Sequence, residues 1–472
     1  MITFILNNNL IKTEAPAGMS LLNFIRNEAG LKGTKSGCKE GDCGACTVLE
    51  GMLHNGKVIY KTIVSCLTPL GNAHGKHIVT IEGLNTDDLT PVQQEIVSNA
   101  GTQCGFCTPG FVVSLTGYSL GKQAGLKPAA IASVAGNICR CTGYKSIEKA
   151  AFKVADLLKD KNQDNDIAWL SEHHFIPEYF KTIAERLSAI GQRDHATAQP
   201  DMIVGGGTDL MVQKPGEVKV SALNLTKDIP HLNRIIHRGN KIITGGSVTV
   251  NDLLGSKPLT TAFPKLTTWF KLISSEQIRN TATLAGNFVN ASPIGDMSIL
   301  FLAMEASLTL LSTSGEKRSI QLKDFFLDYK KLDLSEGEII ETIEFELPGK
   351  HHFVNFEKVS KRLHLDIASV NSAINVQVKD HTIFSASLAA GGIAPVPKFF
   401  SETSDFLTGK PLTVQTLLDA EAVMQEEVSP IGDVRGSILY KRLLLRQLFF
   451  AHFMEMFPKV FTPDVVLPVL KA

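Results

Sequence analysis

All eight cysteines of this 472-residue chain lie between Cys38 and Cys141, in two groups of four. Cys38, Cys43, Cys46 and Cys66 are spaced C-x4-C-x2-C-x19-C, and Cys104, Cys107, Cys139 and Cys141 are spaced C-x2-C-x31-C-x-C. A [2Fe–2S] cluster is held by four thiolates, and the first spacing is one that holds it. Three ligands so close together must bend sharply round one side of a compact cluster, which accounts for Gly37, Gly41 and Gly44 beside them. Amides of that loop can point at the cluster sulfurs, and Cys66 arrives from a later strand to lock the loop to its domain. A structural zinc site is the alternative, but zinc favours paired C-x2-C knuckles, which this group lacks. The second group, with Gly105, Gly136 and Gly143 near it, suits zinc or a redox dithiol when taken alone. Beside the first group, a second [2Fe–2S] cluster is the favoured reading. The chain is therefore expected to carry electrons.

Two later stretches could hold a dinucleotide. In Val204-Gly205-Gly206-Gly207-Thr208-Asp209-Leu210, three glycines let the backbone approach a ligand and aim amides at an anion such as a pyrophosphate. The pattern is neither G-x-G-x-x-G nor a P-loop, so a Rossmann or nucleotide-hydrolase reading is disfavoured. Alone, three glycines are more often a flexible turn. The run Thr283–Asp296 gathers Gly286, Asn287, Ser292 and Asp296 among other small or hydrogen-bonding residues; the plainer alternative is an ordinary polar loop. His173-His174 and His351-His352 fit no metal motif. Asp296 and Asp366 could serve as acid–base or as orienting groups. No convincing nucleophile–base set is present.

The elements that must position these residues follow from periodicity. Residues 2–6 and 10–15 read as a hairpin, with a helix over 21–29 capped by Ser20 and strands at 46–53, 58–64 and 77–82. Four helices are expected over 92–100, 111–120, 128–135 and 146–158, with the second cysteine group at their turns. The polar, charged stretch 159–166 reads as a linker, and 176–190 as a possible amphipathic helix. From Met202 the pattern is mixed α/β, ending in an apolar helix over 440–457 whose phenylalanines read as core. The length implies about three domains by the usual ~100–200 residues each. Lys+Arg and Asp+Glu balance at 47 each, which argues against a general nucleic-acid surface. No apolar run reaches the ~20 residues that span a bilayer, and the N-terminus reads as a strand rather than a signal peptide. A cytoplasmic protein with no membrane role is expected, where clustered cysteines are metal ligands rather than disulfides.

Taken together, Gly37–Cys46, Gln103–Gly110, Gly136–Gly143 and Gly286–Pro293 resemble the molybdenum hydroxylase family, and Asp366-Ile367-Ala368, Gly391–Pro395 and Arg435–Arg442 extend the match over nearly the whole chain. The resemblance implies an α+β multidomain fold. Its expected parts are a β-grasp ferredoxin-like domain (1–85), a four-helix [2Fe–2S] domain (86–160) and a linker (161–195). A vanillyl-alcohol-oxidase-type FAD domain (196–348) and a CO-dehydrogenase-flavoprotein-like α+β domain (349–460) would follow. By the same resemblance, Cys38, Cys43, Cys46 and Cys66 bind the more exposed cluster. Cys104, Cys107, Cys139 and Cys141 bind the one nearest a molybdenum centre, and Gln103 contacts the pterin of the molybdenum cofactor. Val204–Leu210 is the flavin pyrophosphate loop; Gly286, Asn287, Ser292 and Asp296 are further flavin contacts, and Lys358 lies near the flavin ring. Ile273 and Leu365 depart from the pattern, standing where some relatives carry an aromatic residue and an acid. The chain has no room for a molybdopterin domain, so a large partner subunit is implied, in a heterotetramer of two small and two large chains. That partner would oxidise a purine, hypoxanthine or xanthine, and electrons would leave through FAD to NAD+. A relative acting on an aldehyde or another N-heterocycle is the first alternative. A zinc-stabilised binding module without redox turnover is the alternative of a different class.

Overall fold

Ile2–Leu6 is apolar on both faces because it becomes an inner strand: Asn9–Thr13 pairs antiparallel on one side and His77–Val79 parallel on the other. Asn7 closes the hairpin in the left-handed region, at φ 54°. In the computed structural model, which describes residues 1–162, 166–191 and 200–471, this sheet runs Asn9–Thr13, Ile2–Leu6, His77–Val79, Thr47–His54, Lys57–Val64. The expected helix begins as Leu21–Asn23, capped by Ser20, and continues as the wider π turn Phe24–Glu28. It buries Leu21, Leu22, Phe24 and Ile25 over the sheet. This is the β-grasp arrangement of the ferredoxin type.

The four expected helices form as Pro91–Ser98, Thr108–Leu120, Lys127–Val134 and Lys145–Leu157. Thr90 and Gln93 make a reciprocal capping box at the first. Thr108–Leu120 is apolar nearly all round, so it is the central helix, with Phe111, Val113 and Leu115 fully enclosed. It lies directly on the neighbouring sheet: a Cβ on Gly117 would come within 2.5 Å of the Thr62 methyl.

The stretch 161–195 carries more structure than the linker expected of it. Its described residues include the helices Asp166–Glu172 and Ile183–Ser188 and a 3-10 turn, Glu178–Thr182. Phe175, Ile176, Phe180, Ile183 and Leu187 are buried, which a solvated linker could not offer. Phe180 stacks at a tilt on Tyr60 and Tyr179 packs edge-on to His77. Residues 192–199 lie outside the described part.

The chain divides into two compact units. One is Met1–Lys227 with Ser275–Ala282, and the other is Asp228–Ser274 with Thr283–Ala472. The first therefore takes in two pieces of the sequence expected in the FAD domain. One is a parallel strand pair, Met202–Val204 with Leu223–Leu225. Lys227, just past that pair, meets Glu50 of the ferredoxin-type sheet at 3.0 Å, and Lys76 meets the other carboxylate oxygen at 3.1 Å. All three side chains are buried; burial opposes ionisation of Glu50, but the two ammonium groups hold its pKa down to about 2.

Two larger antiparallel sheets lie in the second unit, beside the short pair Phe326–Asp328 with Lys331–Leu332. One runs Lys317–Gln321, Ser307–Leu311, Ile339–Glu346, Lys241–Gly245, Ile235–Arg238. The other runs His352–Val359, Val370–Lys379, Thr382–Gly391, Lys398–Phe399. Helix Ile438–Met456 packs its Leu445, Phe449 and Phe453 into the core on the second sheet, as its apolar face led us to expect. No helix among the described residues is long and apolar enough to cross a membrane.

Candidate cluster and flavin sites

The first cysteine loop folds around its sulfurs. Cys46 and Cys66 bring their Sγ atoms to 3.3 Å, both buried, Cys66 from the 3-10 turn Ser65–Leu67. The Cys38 amide donates to Cys43 Sγ at 3.4 Å and the Glu40 amide to Cys38 Sγ at 3.3 Å. Such donors favour the thiolate. A proton shared with Cys43 brings the Cys38 thiol down to about 5, while the same sharing, then burial, pushes Cys43 up. Cys46 and Cys66 behave alike: the shared proton lowers Cys46 and raises Cys66. The glycines are required by space as well as by conformation. A Cβ on Gly37 would lie 2.7 Å from Cys43 Sγ, and Gly44, at φ +65°, would put one 2.4 Å from the Gly136 carbonyl.

The second group is also two pairs. Cys104 and Cys141 lie 3.6 Å apart at the surface, sharing a proton that raises Cys141. Burial, then a shared proton with Cys139, pushes Cys107 up to about 12. Burial opposes ionisation of Cys139, but the Thr142 hydroxyl at 3.2 Å and amide at 3.5 Å lower it. The Tyr144 hydroxyl accepts from the Cys139 amide at 3.1 Å, and Gln103 donates to the Cys141 carbonyl at 3.2 Å. Gln103, Cys104 and Cys141 are exposed, as are Phe106 and Ile138. The resemblance implied that the first group is the more exposed; in this chain by itself it is the second.

All-thiol donor sets in two pairs suit two irons, each taking two protein sulfurs. Among the described residues, no three His, Cys, Asp or Glu side chains are arranged to hold a single metal ion. The two loops are joined directly: the Ile138 amide, one residue before Cys139, donates to the Cys43 carbonyl at 3.0 Å. Asn137 Nδ2 donates to the Gly44 carbonyl at 3.1 Å. Asn137 was not singled out from the sequence; its place inside the Gly136–Gly143 motif was the available signal.

The glycine loop after Val204 packs beside the first cysteine site. Val204 and Met211 share an apolar cluster with Cys46 and Cys66. Gly207, at φ +84°, has room for no Cβ against Pro69, and one on Gly206 would strike the Thr281 carbonyl at 1.9 Å. The Asn72 side chain donates to the Gly205 carbonyl at 3.0 Å. Among the described residues, the amides of Gly206, Gly207 and Thr208 meet no backbone acceptor.

In the second unit, Thr283 caps the helix Leu284–Asn290 through the Gly286 amide, and Ala291 at φ 48° turns the chain toward Ser292 and the helix Asp296–Ala303. Asn287 Oδ1 accepts from the amide and hydroxyl of Ser298, at 3.2 and 3.1 Å. Asp296 and Lys358 are each other's partners at 2.7 Å, with the lysine side chain 2 % exposed. Lys358 also donates to the Leu272 carbonyl at 2.8 Å, and Asn371 donates to the other Asp296 oxygen at 2.6 Å. Sequence reasoning named Asp296 and Lys358 separately and missed Asn371, which the sheet register alone brings to them.

Known families and proteins match this arrangement. Residues 4–70 match a 2Fe-2S iron-sulfur cluster binding domain and 80–152 a [2Fe-2S] binding domain. Residues 174–348 match the FAD binding domain in molybdopterin dehydrogenase, and 356–456 the CO dehydrogenase flavoprotein C-terminal domain. Xanthine dehydrogenase 1 of Arabidopsis thaliana is 29% identical over 522 residues, covering 93% of this chain and 38% of its own length. The xanthine dehydrogenase/oxidase of Rattus norvegicus is 28% identical over 529 residues, covering 98% and 40%. The chain thus spans about two fifths of these relatives. A solved Cu,Mo-CO dehydrogenase shares the fold, with TM-score 0.50, 24% identity, 54% of this chain and 89% of that one. The chain thus carries, in order, sequence similar to two [2Fe-2S] domains, an FAD-binding domain and a flavoprotein C-terminal domain.

Proposed function

We propose that this chain is the electron-transfer subunit of a xanthine dehydrogenase, serving a partner subunit that oxidises hypoxanthine and xanthine to urate at a molybdenum centre. The observation that carries the reading is the continuous run of contacts from the Cys139 loop, through Ile138 and Cys43, to Cys66 and the glycine loop at Val204. Cys104, Cys107, Cys139 and Cys141 hold the entry cluster, and Cys38, Cys43, Cys46 and Cys66 the second. Val204, Gly205, Gly206, Gly207, Thr208, Asp209 and Leu210 take the FAD pyrophosphate; Gly286, Asn287, Ser292, Asp296 and Lys358 take the rest of the flavin. When bound, the clusters carry single electrons and the flavin collects two, which lets a hydride leave for NAD+. The protein residues set the conditions for this. Amides of Cys38, Glu40 and Thr142 donate to sulfur and tune the cluster potentials. Asp296 and the Leu272 carbonyl fix the Lys358 ammonium in a nearly dry setting and so orient it. The exposed face of Gln103, Cys104, Phe106 and Ile138 is what the partner covers, with Gln103 reaching its pterin. Xanthine dehydrogenases of plant and rodent, matching over nearly the whole chain, favour the purine substrate.

The test is to purify the chain with its co-purifying partner and measure metals, flavin and substrate-driven NAD+ reduction. About four iron and one FAD per chain, with NAD+ reduced on adding xanthine, are expected. Zinc without flavin sinks the relay; reduction by aldehydes alone reassigns the substrate.

A further inference from the structure

One short segment, Ser275–Ala282, reaches all three cofactor loops of the first unit. The Ile278 side chain fills the space beside Gly41, Asn280 donates to the Thr62 carbonyl at 2.9 Å, and the Thr281 carbonyl backs Gly206. Gln277 is its most enclosed member, at 0 % exposure. Its Nε2 donates to Asn137 Oδ1 at 3.2 Å and to Ser114 Oγ at 3.3 Å. Ser114 donates to the same Asn137 oxygen at 2.8 Å, and Asn137 in turn donates to the Gly44 carbonyl. The direction of this chain is fixed. With Asn137 Nδ2 on a carbonyl, its Oδ1 must accept, so Gln277 must present nitrogen.

Gln277 Oε1 is left without a partner, pressed over Gly136, where a Cβ would lie 2.0 Å away. Burying an oxygen without a donor is unfavourable, and an apolar residue of the same shape would avoid that. What the amide contributes lies on its nitrogen, which holds Asn137 and Ser114. What it does is hold Asn137 against Gly44, one residue from the Ile138 amide that bridges to the Cys43 carbonyl.

We propose that Gln277 is a positioning residue for electron transfer between the two cysteine sites: through Asn137 it keeps the Ile138–Cys43 hydrogen bond, and so the spacing of the two loops, in place. This rests on the relay reading above. In the step concerned one electron leaves the Cys104–Cys141 site and one arrives at the Cys38–Cys66 site; no bond forms or breaks and no proton moves.

The experiment uses the full chain in complex with its partner, comparing Gln277→Leu, Asn137→Ala and the double variant. In Gln277→Leu, iron and FAD contents and the electron paramagnetic resonance g-values of each reduced cluster stay as in the parent. The splitting from magnetic interaction between the two reduced clusters changes, and flavin reduction from the partner slows several-fold. The double variant is no slower than the slower single one, because both break the same clamp. Unchanged splitting and rate, or strictly additive losses, overturn the proposal. Loss of a cluster from Gln277→Leu overturns it too, by assigning the residue to folding. A parent protein without two clusters instead overturns the relay reading itself.

Discussion

The two cysteine sites are built from the same four ligands and the same glycine logic, yet one is closed and the other open. At the first, Cys46 and Cys66 are buried, and a Cβ on any of its three glycines would meet a sulfur, a side chain or a backbone oxygen. At the second, Cys104 and Cys141 are exposed, and Gly105 and Gly143 have nothing within 4 Å of where a Cβ would lie. The first site is complete within this chain. The second presents exposed apolar residues, Phe106 at 47% and Ile138 at 38%, around its sulfurs, as a surface does before a partner covers it. The difference fits the proposal that the open site is the one a partner subunit covers.

The largest test of this contrast is Gly44→Ala. It puts a methyl group 2.4 Å from the Gly136 carbonyl at a left-handed position, so the seam between the loops opens and both clusters are lost, read as iron per chain. Retention of both would show that the seam is loose. Cys43→Ser acts on the closed site alone. Iron falls from about four to about two per chain, and substrate still reduces the molybdenum but no longer the flavin. Normal flavin reduction in that variant would break the proposed route. Next comes exposure to air: in the chain freed of its partner, the signal of the open cluster decays first, and adding the partner protects it. Equal decay of the two would remove the contrast.

Acid addresses the closed module. His77 lies in its sheet, with Nδ1 facing the Tyr60 hydroxyl at 2.8 Å and Nε2 the Asn7 carbonyl at 2.9 Å. Burial lowers its pKa from 6.5 to about 3. Between those values the unfolded chain binds a proton that the folded one refuses, so this stabilisation is full above pH 6.5 and declines as pH falls toward 3. The expected slope is about 1.4 kcal/mol per pH unit, followed by denaturant unfolding. No histidine occurs between His77 and His173, so the four-helix module adds no such slope of its own. His77→Gln should flatten the profile between pH 6.5 and 4.5; below that Glu50, lowered from 4.5 to about 2, keeps a slope of the same sign. The smallest effect is Gly105→Ala at the open site. It meets no atom, and its φ of +80° carries only the left-handed penalty of about 1–2 kcal/mol, with both clusters kept.

Much of this was legible in advance because it is written in short-range pattern. The cysteine spacings, the four helices, the hairpin at Asn7 and the apolar C-terminal helix each depend on residues close in sequence. The 161–195 stretch was less legible. Its charged start looks like a linker, whereas its buried residues Phe175, Phe180 and Ile183 acquire meaning only against the sheet they cover. Asn371 could not be found at all from sequence: it reaches Asp296 from a strand 75 positions away.

The sequence by itself determined the ligand set and the local elements: eight thiols in two quartets, a three-glycine turn, and segments whose periodicity forms sheets and helices around them. Ligand type and local spacing are covalent facts of the chain. Only the tertiary structure decided which site is closed and which is open, that Ser275–Ala282 joins the first unit, and that Gln277 and Asn137 tie one cysteine loop to the other. Those outcomes depend on burial and on hydrogen bonds between residues 93 and 140 positions apart, and no local pattern encodes them.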